Sequence, residues 1–314
     1  MGKGYVSISN DLSASFFNPA GIGNINGIEL NNSYASPFYM LEDSYHLYNG
    51  IGCRLNKYIQ FSISRLQWVT NEEISVLGET VSPKSSISTI TLASEPLRGL
   101  FIGFNLNYFV WDLGPDHMSK APYFDFGAIK KFNVYKGEIF SHTISVGSSI
   151  SNFSNSTVTM DFSNVDETVK LPIISRFGAN YHLGYNKQFL IRSLNTLEFL
   201  LQSEVQYLLN CEYHTAYKIG GELFFLDLLA LRAGYFQEEI YNYGLPENNY
   251  SLFSDFTFGF GIQIPFYKLT KIPIRINFDY TSLPQVSYTE GITEAELGKF
   301  SNYTIKINWI LKQK

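Results

Sequence analysis

The side chains able to do chemistry in this 314-residue chain are scattered. His46, His117, His142, His182 and His214 never come at H-x-x-x-H or H-E-x-x-H spacing, so two imidazoles are not presented together to a metal. No G-x-S-x-G elbow, phosphate-binding Walker loop or G-x-G-x-x-G turn is present, and Gly21-Ile22-Gly23 lacks both the third glycine and a preceding strand. Cys53 and Cys211 have no companion at C-x-x-C spacing, which speaks against a zinc site or a disulfide scaffold. Glu72-Glu73 and Glu238-Glu239 fall in expected outer loops, where solvated charge is the ordinary reading and a cation or basic partner the sharper one. No enzyme and no cofactor is expected. Glu198, Glu204, Lys218, Glu222, Arg275 and Asp279 are different in kind, because they sit in the middle of segments that otherwise read as strands.

Those segments alternate strictly. Phe258, Phe260, Ile262 and Ile264 interleave with Thr257, Gly259, Gly261 and Gln263, and Tyr303, Ile305, Ile307, Trp309 and Leu311 with Thr304, Lys306, Asn308 and Ile310. The pattern predicts fourteen strands: 27–36, 43–54, 57–69, 84–94, 98–112, 121–130, 139–152, 172–184, 195–207, 213–225, 227–236, 253–265, 271–281 and 300–312. Most are longer than the usual 5–6 residues of soluble sheets and near the roughly 9–11 needed to cross a bilayer at a tilt.

Composition agrees. Charged residues make up 16% and aromatics 16%, yet no run approaches the roughly 18 apolar residues of a membrane helix. A net charge of -5 without a basic run gives no footprint for nucleic acid. Charges on the polar parity of many strands are costly in a dry core and cheap in a wet lumen. A soluble lipocalin-like barrel or sandwich would alternate too, but with its apolar face inside. Aromatics near strand ends, among them Tyr58, Trp68, Trp111, Tyr123, Tyr181, Phe266, Tyr267 and Trp309, fit interfacial girdles. Long connections (70–83, 153–171, 237–252, 282–299) alternate with mostly tight ones, as in a barrel with its loops at one end. The expectation is an all-β, 14-stranded antiparallel transmembrane β-barrel over 27–314, in the cell outer membrane with both termini in the periplasm. Residues 1–26 stand apart from it as a short N-terminal segment.

That N-terminal segment reads as neither strand nor long helix. Tyr5-Val6-Ser7-Ile8 leads through Asp11-Leu12-Ser13-Ala14 to Asn18-Pro19-Ala20-Gly21, rich in small and turn-forming residues. It resembles the hatch of the FadL-like outer-membrane barrels, which implies a short hatch or plug over 1–26 inside the lumen. The ordered set from Gly2-Lys3-Gly4-Tyr5-Val6 onward, with Leu229-Ala230-Leu231-Arg232-Ala233-Gly234-Tyr235, Phe258-Gly259-Phe260-Gly261-Ile262 and Phe278-Asp279-Tyr280, is similar to the PorV/PorQ branch of that superfamily. The PorV-like resemblance implies a component of the type IX secretion system. Its partners would be a large translocon barrel and secreted cargo, besides outer-membrane lipid or lipopolysaccharide. Tyr241, Tyr243, Tyr250, Phe253 and Tyr288 are then candidate contacts in the outer loops, since binding hot spots favour aromatics. The FadL-like resemblance implies the alternative, uptake of hydrophobic small molecules such as fatty acids past a movable hatch. Glycines inside strands (Gly103, Gly127, Gly178, Gly220, Gly221, Gly259, Gly261) are open to two readings, kinks in the wall or room for neighbouring aromatics.

Overall fold

The computed structural model describes residues 3–36, 44–56, 58–70, 74–76, 79–81, 83–112, 118–162, 165–185, 194, 196–210, 215–241, 250–270, 272–284 and 299–310. A short helix α1 (Ala14–Phe17) and a 3-10 turn (Pro19–Asn24) precede the sheet. In chain order the strands are β1 (Ile28–Ala35), β2 (Ser44–Arg54), β3 (Ile59–Thr70), β4 (Ile74–Val76), β5 (Glu79–Val81), β6 (Lys84–Leu97), β7 (Leu100–Asp112), β8 (Met118–Lys136) and β9 (Phe140–Ser151). They continue as β10 (Thr157–Phe162), β11 (Val165–Lys170), β12 (Ile174–Tyr185), β13 (Leu197–Leu208), β14 (Thr215–Phe225), β15 (Leu229–Tyr241), β16 (Tyr250–Ile264), β17 (Ile274–Pro284) and β18 (Lys299–Trp309), with α2 (Phe266–Leu269) between β16 and β17.

Fourteen of these strands close into one barrel in the order β1-β18-β17-β16-β15-β14-β13-β12-β9-β8-β7-β6-β3-β2, and every pairing around the ring is antiparallel. All fourteen predicted strands are present, with ends shifted by a few residues. The four strands beyond that number make two separate hairpins, β4 with β5 and β10 with β11, inside connections read from sequence as loops. The link from β14 to β15 turns at Leu226-Asp227, where both residues have positive φ, as a type I′ hairpin turn requires.

Burial decides which side faces what. On β16, Phe256, Phe258, Phe260 and Ile262 are 44–56% exposed while Thr257 is fully buried. The same inversion runs round the ring: Leu30, Ile63, Leu92, Phe104, Leu201, Ile219, Leu231 and Ile307 face outward, whereas Glu29, Gln60, Asn105, Asp125, Gln202, Glu204 and Lys218 are buried. An apolar outside and a polar inside suit hydrocarbon around the wall and hydrogen-bonding groups within. Three girdle assignments are corrected by parity. Trp68, Trp111 and Tyr123 lie on the inward faces of β3, β7 and β8, because an aromatic near a strand end is placed by its register and not by its type. Tyr58 and Trp309 are exposed, Trp309 on the outward parity of β18.

Candidate functional site

The N-terminal segment is bonded to inward-facing groups on opposite sides of the closed ring, which places it in the lumen. Asn18, Pro19, Ala20 and Gly21 are all buried. Asn18 acts as a two-sided clip. Its Oδ1 accepts from Ala20 N (3.1 Å), capping the 3-10 turn, while its Nδ2 donates to Val6 O (2.8 Å) and to Ala128 O on β8 (3.2 Å). Pro19 opens that turn with its fixed φ and missing N–H, at a position where no donor is needed.

The strand glycines make the seat. Gly103 on β7 pairs with Gly127 on β8, and Gly147 on β9 with Gly178 on β12. A Cβ at Gly103 would land on the backbone of Pro19 and Ala20, one at Gly127 on the Asn18 side chain, and those at Gly147 and Gly178 on Val6 and Ser7. These four glycines therefore admit a second backbone against the wall. Ala20, Phe101 and Ile129 pack together beneath the seat, and Leu12, Ala14, Ile22 and Ile25 pack with Ala93 of β6.

The other flank is held by charge. Glu204 on β13 accepts from the N–H groups of Tyr5 (2.7 Å) and Val6 (2.8 Å) through Oε2, and from Lys218 Nζ on β14 (2.9 Å) through Oε1. Glu29 on β1 accepts from Leu12 N (2.8 Å) and Asn308 Nδ2 (2.5 Å). Lys306 on β18 bridges Asp11 (2.7 Å) and Asp279 (3.1 Å), and the chain continues through Arg232 to Glu222. Burial by itself would push the Asp11 carboxyl up; the Lys306 ammonium outweighs it and holds Asp11 below the usual carboxylate range. At the segment's start, Lys3 pairs with Glu238 (3.0 Å) over the Phe236 ring.

Beside α1 lies a partly enclosed cavity of about 270 Å³. Its apolar lining comes from Phe16, Leu66, Ile87, Phe109 and Ile174, and its polar groups include Asn107, Asp125 and Arg176. The Phe16 ring, 44% exposed, projects from the N-terminal segment with no wall side chain covering it fully. Arg176 donates to Gln206 Oε1 and Ser151 Oγ, both at 3.2 Å, and has no carboxylate bonded to it among the described residues. Asp125 accepts from Asn105, Asn107 and Asn152 N, so its oxygens are satisfied. The arrangement can hold a small, mostly apolar molecule with a polar end. Among the described residues no group of three His, Cys, Asp or Glu could hold a metal ion.

Of the loop residues read as partner contacts, Tyr241, Tyr250 and Phe253 lie among the described residues. Tyr241 ends β15 and Tyr250 opens β16, facing each other in register. Tyr243, Tyr288 and the Glu72-Glu73 pair lie outside the described residues. Phe253 is on the inward parity of β16, its ring 5.3 Å from that of Phe236. Glu238 and Glu239 belong to β15 and not to a loop, and they bond Lys3 and Thr215 N. Phe16, Arg176 and the glycine seat escaped the sequence reading.

No family model and no curated protein matches the chain. Among solved structures it is similar to a FadL homologue of Pseudomonas aeruginosa, at 10% identity over 98% of this chain and 96% of that one, TM-score 0.48. It is similar also to the Pseudomonas putida toluene transporter TodX (12%, 98% and 95%, TM-score 0.48) and to the CymD monoaromatic hydrocarbon channel (8%, 99% and 95%, TM-score 0.47).

Proposed function

We infer that the chain is an outer-membrane channel for small hydrophobic molecules, shut by its own N-terminal segment acting as a plug. The observation that carries this reading is the cavity beside Phe16. An apolar ring left exposed inside a polar lumen, facing Leu66, Ile87 and Phe109, is a contact waiting for an apolar ligand. The plug interpretation rests on how the segment is held: it is seated on glycines on one flank and bonded to buried carboxylates on the other, so it fills lumen that a barrel of this width leaves open. The secretion reading followed from the PorV-like resemblance, with loop aromatics as its candidate contacts; of these Phe253 lies on the inward parity of β16, beside Phe236, and supplies no outer-loop contact for cargo.

The test is binding of a neutral naphthyl dye to the detergent-solubilised barrel, followed by its fluorescence. Phe16→Ala removes one wall of the cavity without touching the seat, and should weaken binding about tenfold, in line with roughly 1–2 kcal/mol for a half-buried aromatic. Equal binding by the variant would count against a ligand site at Phe16.

A further inference from the structure

The outward face of β15 and β16 presents Leu229, Leu231, Phe256, Phe258, Phe260 and Ile262, as hydrocarbon requires. The outward face of β1, β2, β3 and β6 breaks that rule. Asn32 on β1 faces Asn49 on β2, Asn49 faces Arg65 on β3, and Arg65 faces Ser88 on β6, forming one exposed polar row across four strands. The row is not the rim of the wall. One outward step toward the tight turns, Leu30, Ile51, Ile63 and Ile90 form an apolar row in the same register. One or two steps the other way, Tyr34 stacks on Tyr45 with ring centroids 5.5 Å apart, at the level where an interfacial girdle belongs.

Hydrocarbon supplies no partner for these groups. Asn32 Nδ2 donates to Asn49 Oδ1 at 2.7 Å, and Arg65 Nη2 reaches Ser86 Oγ at 3.4 Å. This leaves an acceptor, Asn32 Oδ1, at one end of the row. At its centre is a donor, Asn49 Nδ2, and beyond it most of the Arg65 guanidinium, which has no carboxylate partner among the described residues. The row borders a groove of about 600 Å³ whose sides include Leu30, Ile51, Ile63, Ile305 and Ile307.

We propose that this face is where two copies of the chain meet in the membrane, about a two-fold axis parallel to the barrel axis and passing beside Asn49. Across β1, β2 and β3 the row is self-complementary about β2, with Ser88 lying beyond Arg65. Its acceptor and its cation lie one strand spacing, roughly 4.8 Å, to either side of Asn49. The two-fold brings the two Asn49 amides together and sets Arg65 of one copy beside Asn32 of the other, where a strand tilt of roughly 40° leaves about 6 Å of depth for the long Arg65 side chain to span, in an isologous contact. The Leu30, Ile51 and Ile63 row packs across the same axis. A lipid tail offers no acceptor at this depth, and a headgroup phosphate lies at or beyond the Tyr34–Tyr45 level.

The test uses the full chain, with Cys53→Ser and Cys211→Ser, diluted into phosphatidylcholine vesicles. Ile51→Cys should form a covalent dimer on mild oxidation, while Leu201→Cys, exposed on β13 across the barrel, should not. Adding Arg65→Leu or Asn32→Leu to Ile51→Cys should cut the dimer yield at least about tenfold, with heat-modifiable migration showing that the barrel is folded. Equal crosslinking from both walls, a yield unchanged by Arg65→Leu, or single-molecule photobleaching that counts one subunit per spot would overturn the proposal. So would a monomer stabilised by anionic lipid in a way that Arg65→Leu abolishes, an outcome that assigns the row to a lipid headgroup.

Discussion

The N-terminal segment is held in two unlike ways on its two flanks. Toward β7, β8, β9 and β12 it rests on glycines, where its backbone takes the space a side chain would need. Toward β1, β13, β14 and β18 it is held by Glu29, Glu204 and Lys306, whose bonds to it are electrostatic. The first flank selects by volume and by uncharged hydrogen bonds, such as Asn18 Nδ2 to Ala128 O and Asn180 Nδ2 to Ser7 O, and is the less sensitive of the two to salt and pH. The second depends on charge, and a charged group left behind in the lumen is costly.

The comparison is broken most severely from the glycine side. Gly103→Leu puts a side chain where the Pro19 and Ala20 backbone lies, and neither backbone can retreat cheaply; the segment should be displaced from a barrel that stays closed. Single-channel conductance should rise more than for any other single substitution, equally at low and high salt, with the segment newly open to protease. On the charged flank, Glu204→Ala removes the acceptor for Tyr5 N and Val6 N and strands Lys218, weakening docking by about 3 kcal/mol. Conductance should rise by less than for Gly103→Leu and should vary with salt. Glu204→Gln, which keeps an acceptor and loses the charge, should fall between the wild type and Glu204→Ala.

The mildest effect comes from acid. Asp11 sits below the usual carboxylate range in the folded chain, so its bond to Lys306 contributes fully above the ordinary carboxylate pKa and is lost as pH falls through the depressed folded value. Open probability should therefore increase at the acid end in the wild type, and Asp11→Asn should flatten that rise.

The barrel was legible in the sequence because each strand meets two unlike environments, and alternation records both; Phe258 against Thr257 is sufficient to set the register of β16. The Asn18-Pro19-Ala20-Gly21 turn stood out because proline and glycine exclude a strand there. What alternation does not carry is the occupant of a missing side chain. Gly103 and Gly127 looked like kinks, or room for aromatics, because nothing local tells that a segment far earlier in the chain lies on them. Aromatics misled for a related reason: Trp68, Tyr123 and Phe253 are inward, and ring chemistry suits a lumen as well as an interface. Arg65 and Asn49 were hidden because their strands still alternate in size if not in polarity.

The most direct test of the central claim, that the docked segment must move for the channel to pass its ligand, is a reversible tether. Ser15 Oγ on α1 and Ser64 Oγ on β3 are 3.1 Å apart, within reach of a disulfide if both become cysteine. With Cys53 and Cys211 replaced by serine, vesicles carrying Ser15→Cys/Ser64→Cys should stop taking up a hydrophobic dye when oxidised and recover on reduction. Undiminished uptake with the tether closed would contradict the account.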